Sequence, residues 1–158
     1  VMLGMDILRD LYLQIEPQRM VVTFNRTPFQ TKAHNLQMLN MDPTPTLDVT
    51  VTGTQCVMRL MTGTGISLLP PNLLPKGAAK EQMEVAIPGL PAFTASIFNL
   101  PIDIAGQSFS LKCAALPDSV RSALDRGRGP GEGILGTELF QKLPVTLEFP
   151  RQRLSFLT

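Results

Sequence analysis

The sequence is poor in the side chains that build metal centres. Its 158 residues include two cysteines, Cys56 and Cys113, and one histidine, His34. So few soft ligands argue against a cysteine- and histidine-ligated metal site, and we expect no metal. The spacing of the cysteines does not decide whether they pair. We favour two buried thiols that act as small apolar side chains over a disulfide.

The sequence also lacks an excess of charge of one sign. Fourteen basic residues nearly balance thirteen acidic ones, and the formal net charge is +1. This balance predicts no nucleic-acid partner and no anionic membrane partner. No apolar run approaches the ~20 residues of a membrane-spanning helix. With 44% hydrophobic and 17% charged residues, the composition is that of a globular chain and not of a disordered one.

Long helical patterns are absent, because fourteen prolines and twelve glycines interrupt the chain. This punctuation favours a β-rich fold with many turns. Short strands are predicted at 47–51, 55–60, 83–87, 93–98, 100–104 and 109–114, with a tight turn at 105–107. Short helices are predicted only at 119–125 and 138–142. The pattern predicts an all-β fold, either a small closed or partly open barrel or a sandwich.

Two distant segments of the chain resemble each other. Residues 1–24 match residues 133–156, and each segment is predicted to form a short helix followed by a β-hairpin that turns near a proline. Leu3-Gly4-Met5-Asp6 corresponds to Leu135-Gly136-Thr137-Glu138, and Leu13, Ile15 and Glu16 correspond to Val145, Leu147 and Glu148. A small insertion near Pro17 and Pro150 then aligns residues 18–20 with 152–154. We predict that one supersecondary unit occurs twice.

A glycine-rich segment, residues 126–133, precedes the second copy of this unit. A phosphate-binding loop would need a strand before it and a lysine followed by serine or threonine after it. The segment has neither, so a flexible connector is favoured over a phosphate site.

Two further motifs resemble the signature elements of retropepsin-like aspartic proteases. The first is the run 61–67, Met-Thr-Gly-Thr-Gly-Ile-Ser, which follows a predicted strand. The second, roughly seventy residues later, is Ile134-Leu135-Gly136-Thr137-Glu138. The resemblance covers about residues 46–158. It implies the acid-protease barrel with one or two short helices, and it implies no cofactor.

The resemblance also implies roles for individual residues. In the family, two loops each bring one aspartate to a shared axis, and the two carboxylates share a proton while they activate water. The matched positions here are Thr62, Gly63, Thr64 and Ser67 in the first motif and Gly136 and Glu138 in the second. Met61 occupies the position of the catalytic aspartate. A thioether has no proton to donate and no charge to share.

No nearby acid is an obvious replacement for the aspartate. Asp48 lies on the preceding strand and Asp103 on a distant one. Asp6, with Gly4 in the first copy of the unit, and Glu138 in the second are expected to be structural and to bond backbone amides near a helix start. Candidates for lining a peptide cleft are two pairs of neighbouring residues, Thr64 with Gly65 and Pro88 with Gly89.

These observations predict three segments. Residues 1–27 are the closing unit of an upstream second copy, 28–45 a connector and 46–158 a retropepsin-like lobe. Predicted partners are a peptide and either a second chain, in a homodimer, or an upstream lobe, through residues near 1–24 and 145–158. The compartment is left open.

Three functions are compatible with the sequence. The first is a catalytically inactive lobe that serves as a scaffold or holds an extended peptide. The second is an active endopeptidase whose aspartate is altered here or supplied by another lobe. The third is a small β-barrel interaction module unrelated to proteases.

Overall fold

The computed structural model describes residues 4–30, 34–41, 44–77, 79, 81–125 and 132–157. The helices in this part of the chain are α1 (Met5–Leu8), α2 (Asp118–Asp125) and α3 (Leu139–Lys142). The strands are β1 (Tyr12–Glu16), β2 (Val21–Asn25), β3 (His34–Met38), β4 (Thr46–Val51), β5 (Thr54–Leu60), β6 (Ser67–Leu69), β7 (Glu81–Val85), β8 (Phe93–Ile104), β9 (Gln107–Ala115), β10 (Gly133–Leu135), β11 (Val145–Glu148) and β12 (Arg153–Phe156). Short 3-10 turns lie at Pro17–Arg19, Pro71–Leu73 and Phe149–Arg151.

Six strands close into a barrel in the order β4-β5-β10-β6-β9-β8, and β7 adds to the outer edge of β8. The barrel closes where Thr50 and Val51 of β4 pair with Asp103 and Ile102 of β8. From Leu100 to Ile104 of β8, side chains alternate between the interior and the solvent, as a barrel wall requires. The all-β prediction is confirmed.

Apolar side chains from the strands fill two core clusters. The larger cluster includes Val51, Met58, Ile102, Ile104 and Leu111 of the barrel together with side chains of β1, β11 and β12. The smaller one includes Ile66, Leu68, Val85, Ile87, Ala114, Val120 and Ile134, and thus joins β6 and β10 to α2 and to the end of β7. Burying one such side chain contributes roughly 1.5–3 kcal/mol, so these clusters hold the barrel together.

A second sheet lies beside the barrel, in the order β2-β1-β11-β12-β3. Its central strand, β11, pairs antiparallel with β1, with Gln14 opposite Thr146. β11 is paired on both edges, with β1 and β12, and β12 is paired with β11 and β3.

The two hairpins of this sheet have the same geometry. Each turns through a 3-10 segment with a proline in its first two positions, and each turn ends on a left-handed residue, Met20 or Gln152 (both φ 52°). One constant sequence separation relates Gly4 to Gly136, Met20 to Gln152 and the pairing registers of the two hairpins. The predicted insertion is therefore wrong. Aligning Pro17 with Pro150 suggested it, whereas the structure aligns Pro17 with Phe149.

Two other predicted features differ from the structure. The predicted connector, 28–45, contains β3, which pairs with β12. Its sequence, His-Asn-Leu-Gln-Met, is a weak strand signal, and pairing with the open edge of β12 determines its conformation. The strands predicted at 93–98 and 100–104 are one continuous strand, β8, because its pairing with β9 runs without a break from Phe98 to Ile104, with Asn99 opposite Lys112.

Several local predictions are confirmed. α2 and α3 begin one residue from the predicted helix starts. Ala105 and Gly106 form the predicted tight turn, both with positive φ. Cys56 and Cys113 are free and buried, as the favoured interpretation held.

Candidate active-site loops

The chain crosses itself where the two sequence motifs meet. β10 lies between β5, to which it is parallel, and β6, to which it is antiparallel. Residues 61–66 therefore leave the end of β5, pass the end of β10 and return along its other side as β6. The Met61 N–H donates to the Leu135 carbonyl oxygen at 3.0 Å and fixes the start of this loop.

Thr137 braces the loop from the other motif. Its hydroxyl Oγ1 lies 2.7 Å from the Thr62 carbonyl oxygen and 3.0 Å from that of Thr64. The Thr137 N–H also donates to the Thr64 carbonyl oxygen at 2.7 Å. The sequence interpretation assigned no role to Thr137. The available signal was its position directly after Gly136.

Gly136 and Ser67 form the second connection between the motifs. The Gly136 N–H donates to the buried Ser67 hydroxyl oxygen at 3.2 Å. The loop backbone approaches Gly136 so closely that an added Cβ would collide with the Ile66 carbonyl oxygen and lie 2.8 Å from that of Thr64. Only glycine fits this crossing. The structure thus brings together the serine and the later glycine that the resemblance implied.

Met61 lies at the start of this braced loop, half-buried, and packs against the smaller core cluster. Thr62 and Gly63 beside it are exposed. The acids considered as replacements are held on barrel strands, Asp48 opposite Val57 and Asp103 opposite Thr50. Neither is part of the loop.

The two acids of the closing units behave differently from the prediction. The side chain of Glu138 does not cap α3; its Oε2 accepts the Lys112 N–H at 2.6 Å, and its Oε1 pairs with Lys142 Nζ at 3.2 Å. The expected capping role of Glu138 is therefore wrong, because its side chain reaches β9 instead of its own helix. Asp6 lies in the first turn of α1, with its carboxylate so close to Gly4 that an added Cβ there would collide with it.

A turn between β7 and β8 covers part of the loop. An added Cβ on Gly63 would lie 3.0 Å from Pro88 Cγ and 3.2 Å from Cδ, so the proline ring sits directly over Gly63. Gly89 follows with φ +82° and is exposed, while Ile87 anchors the turn in the smaller core cluster. The structure therefore places the predicted cleft residues Pro88 and Gly89 at the loop.

The other two predicted cleft residues, Gly65 and Thr64, differ in their exposure. Gly65 is exposed and faces open space. Thr64 is 0% exposed, and its Oγ1 has no hydrogen-bond partner. The prediction that Thr64 lines a cleft is wrong, since its side chain points into the protein.

The two thiols lie on barrel strands, Cys56 on β5 and Cys113 on β9, where Cys113 is opposite Ser67. Burial raises the pKa of Cys56 to about 12, and the nearby Glu132 carboxylate adds to the shift. Burial likewise raises the pKa of Cys113 to about 12, with a smaller contribution from Glu138. Both are neutral near pH 7 and are not nucleophiles there.

The described residues offer little for other chemistries. They contain no group of three or more histidine, cysteine, aspartate or glutamate side chains that could hold a metal ion. In the same part of the chain, no helix is long and apolar enough to cross a membrane. Most of the glycine-rich segment, 126–131, lies outside the described residues; Glu132, next to it, accepts the Val57 N–H at 3.0 Å.

Comparison with solved structures identifies proteins with a similar fold. The crystal structure of a retropepsin-like aspartic protease from Rickettsia conorii matches with a TM-score of 0.54 and 15% identity, over 77% of this chain and 89% of that one. The chain has a retropepsin-like fold. The solution structure of the Simian Foamy Virus (mac) protease is similar over 59% of this chain and 88% of its own, with 14% identity and a TM-score of 0.42.

The likeness to the Rickettsia conorii protein is one of fold. No protein-family model and no curated protein matches the sequence. The retropepsin-like fold is the fold that the first two functions considered require.

Proposed function

We propose that this chain is a non-catalytic retropepsin-like lobe that holds an extended peptide without cleaving it, within a two-lobed or dimeric body. One observation carries the proposal: the residue at the start of the braced loop is Met61. Aspartic-protease chemistry needs two carboxylates that share a proton. A half-buried thioether can neither activate water nor protonate a substrate carbonyl.

The loop framework is retained although the acid is missing. Thr137, Ser67 and Gly136 hold the loop through short hydrogen bonds and close backbone contact. Such a rigid loop, with exposed backbone at Thr62 and Gly63, is suited to holding an extended chain by strand-type hydrogen bonds. Pro88 lies over Gly63 and borders the surface on which such a peptide would lie.

The second sheet supports a two-lobed body. Its two hairpins share one pairing register, and Gln14 pairs with Thr146, its own equivalent in the other hairpin. A local twofold axis therefore passes between these two residues. This geometry favours residues 1–27 as the closing unit of a second copy. It also limits the predicted contact region 145–158, because β11 and β12 are already paired on both edges.

The intact braces also favour a second candidate, an endopeptidase whose aspartate is supplied by another lobe or altered at position 61. In that case the loop would be retained because a partner carboxylate uses it. The residue encoded at position 61 in the unmodified gene, together with peptide cleavage by the polypeptide expressed from the complete native gene, separates this candidate from the first.

A peptide-retention experiment tests the proposal. Peptides from a mixed decapeptide library that remain bound to the chain after gel filtration are identified by mass spectrometry. Gly65→Phe is the test variant, since an added side chain there meets open space and would cover the exposed side of the loop. Gly77→Phe is the matched control, equally open but in the segment that follows the Pro71–Leu73 turn.

We expect uncleaved peptides to be retained by the wild type and by Gly77→Phe, and to be lost from Gly65→Phe. Absence of retained peptides in the wild type, or equal retention by all three proteins, contradicts a peptide-holding role for this loop.

A further inference from the structure

The second sheet exposes apolar side chains on one strand. Val22 and Phe24 of β2 are 49% and 47% exposed. Both point to the same side of the sheet, because they pair with Ile15 and Leu13, which lie two residues apart on β1. We call this pair the β2 face.

The equivalent residues in the other hairpin are fully covered. The constant separation that relates the hairpins matches Val22 to Leu154 and Phe24 to Phe156, and both of these are 0% exposed. They belong to the larger core cluster, and the Phe156 ring lies 4.9 Å from that of Phe109 on β9. The barrel is thus what covers this part of the hairpin.

The β2 face continues this covered surface. Cross-strand pairing places Phe24, Leu13, Leu147 and Leu154 in one row, and Val22, Ile15, Val145 and Phe156 in the next. Each row is buried at the β12 end and exposed at the β2 end. The opposite side of the sheet carries polar residues, among them Glu148, which pairs with Arg153. An apolar surface that continues from covered to exposed side chains is typical of an interaction site.

We propose that the β2 face seats a second β barrel, related to the described one by the twofold axis between Gln14 and Thr146. This inference rests on the two-lobed body of the proposed function and names its second member. A second copy of this chain is a poor occupant, because its barrel is already covered by its own β11 and β12. The occupant is a barrel that lacks such a hairpin.

Chain order identifies the source of that barrel. In the described lobe, β10 ends at Leu135, directly before Gly136 and the closing unit. Gly4 is the equivalent of Gly136. By the same order, a barrel that covers the β2 face directly precedes Gly4, and we assign the occupant to the same polypeptide in its native length.

Thiol labelling tests the inference. Phe24→Cys and Val22→Cys report on the β2 face, and Met38→Cys is the control, because Met38 is 58% exposed on β3 at the opposite edge of the same sheet. The natural thiols, Cys56 and Cys113, are buried and have raised pKa values, so we expect them not to react with maleimide at neutral pH. Rates are compared in the 158-residue chain and in the polypeptide expressed from the complete native gene.

We expect the thiols at 22 and 24 to react about tenfold or more slowly in the native-length polypeptide, while the thiol at 38 reacts equally in both. Equal rates at 22 and 24 in both proteins overturn the inference. So does protection within the 158-residue chain that grows with its concentration, since a second copy would then be the occupant. The peptide-retention experiment tests the loop, whereas thiol labelling tests the β2 face. A negative result for the proposed function is therefore distinguishable from a negative result for this inference.

Discussion

Thr137 donates its hydroxyl hydrogen to the loop that begins at Met61, with Oγ1 2.7 Å from the Thr62 carbonyl oxygen. Thr137 and Thr62 are 75 positions apart in the chain, and this contact joins the two sequence motifs. The first residue of this loop is methionine and not an acid, so the hydrogen bonds that hold the loop do not depend on a carboxylate at position 61.

Replacing Thr137 with valine should loosen the loop. The change removes a donor that serves the Thr62 and Thr64 carbonyl oxygens, and we expect a loss of about 1–3 kcal/mol in the free energy of unfolding. Thr137→Ser keeps the hydroxyl and should recover most of the loss. Urea denaturation measures both. Equal stability of the valine variant and the wild type would show that the brace contributes nothing.

Replacing Thr64 with valine should raise the free energy of unfolding instead of lowering it. The Thr64 hydroxyl is buried without a partner, and valine has the same shape without the desolvated oxygen. We expect stabilisation of about 1 kcal/mol, seen as a higher urea midpoint with an unchanged slope. A lower midpoint would reveal a hydrogen bond to this hydroxyl in solution.

Gly136 should not tolerate a side chain. An alanine Cβ would meet two loop carbonyl oxygens, so Gly136→Ala must displace the crossing of the two motifs. We expect at least about 3 kcal/mol of destabilisation or failure to fold. Gly65→Ala, in the same loop but in open space, is the control and should unfold within about 0.5 kcal/mol of the wild type. Similar stability of the two variants would argue against the close crossing.

The sequence predicted the all-β class, because this depends on strand periodicity and on frequent turns, and the resemblance to retropepsins implied the barrel. That the two motifs of one lobe contact each other was not predicted. The sequence interpretation missed Thr137, whose role comes from the crossing of two distant loops and not from any local pattern. It misassigned Thr64, because alternation along an irregular loop does not specify which side chains point inward.

The alignment of the two hairpins shows a second limit of prediction from sequence. Pro17 and Pro150 occupy different positions of equivalent 3-10 turns, since either of the first two positions accepts proline. The residues that are equivalent in conformation are Met20 and Gln152, and neither side chain signals a left-handed backbone. The strand β3 was missed because its pairing partner, and not its own sequence, determines it.

The buried thiols predict loss of stability at alkaline pH. The folded-state pKa values of Cys56 and Cys113 are raised to about 12 from the model-compound value of 9.0. Their contribution to stability is complete below the unfolded-state pKa and is lost as the pH rises towards the folded-state pKa. Each thiol should steepen the decline by about 1.4 kcal/mol per pH unit between roughly pH 9 and 12. Urea denaturation of the wild type and of a Cys56→Ala/Cys113→Ala variant across this range isolates the effect. Parallel curves of unfolding free energy against pH for the two proteins would exclude a contribution from the thiols.

The most direct test of the account is cleavage of a mixed peptide library by the unmodified chain at about pH 4 and about pH 7, with new termini counted by mass spectrometry. Met61→Asp and Met61→Asn, assayed beside it, are the acid-restoring variant and its uncharged control. We predict no new termini from the wild type or from Met61→Asn at either pH, with or without a transition-state-analogue inhibitor. Wild-type cleavage that the inhibitor blocks would contradict the account and identify an endopeptidase.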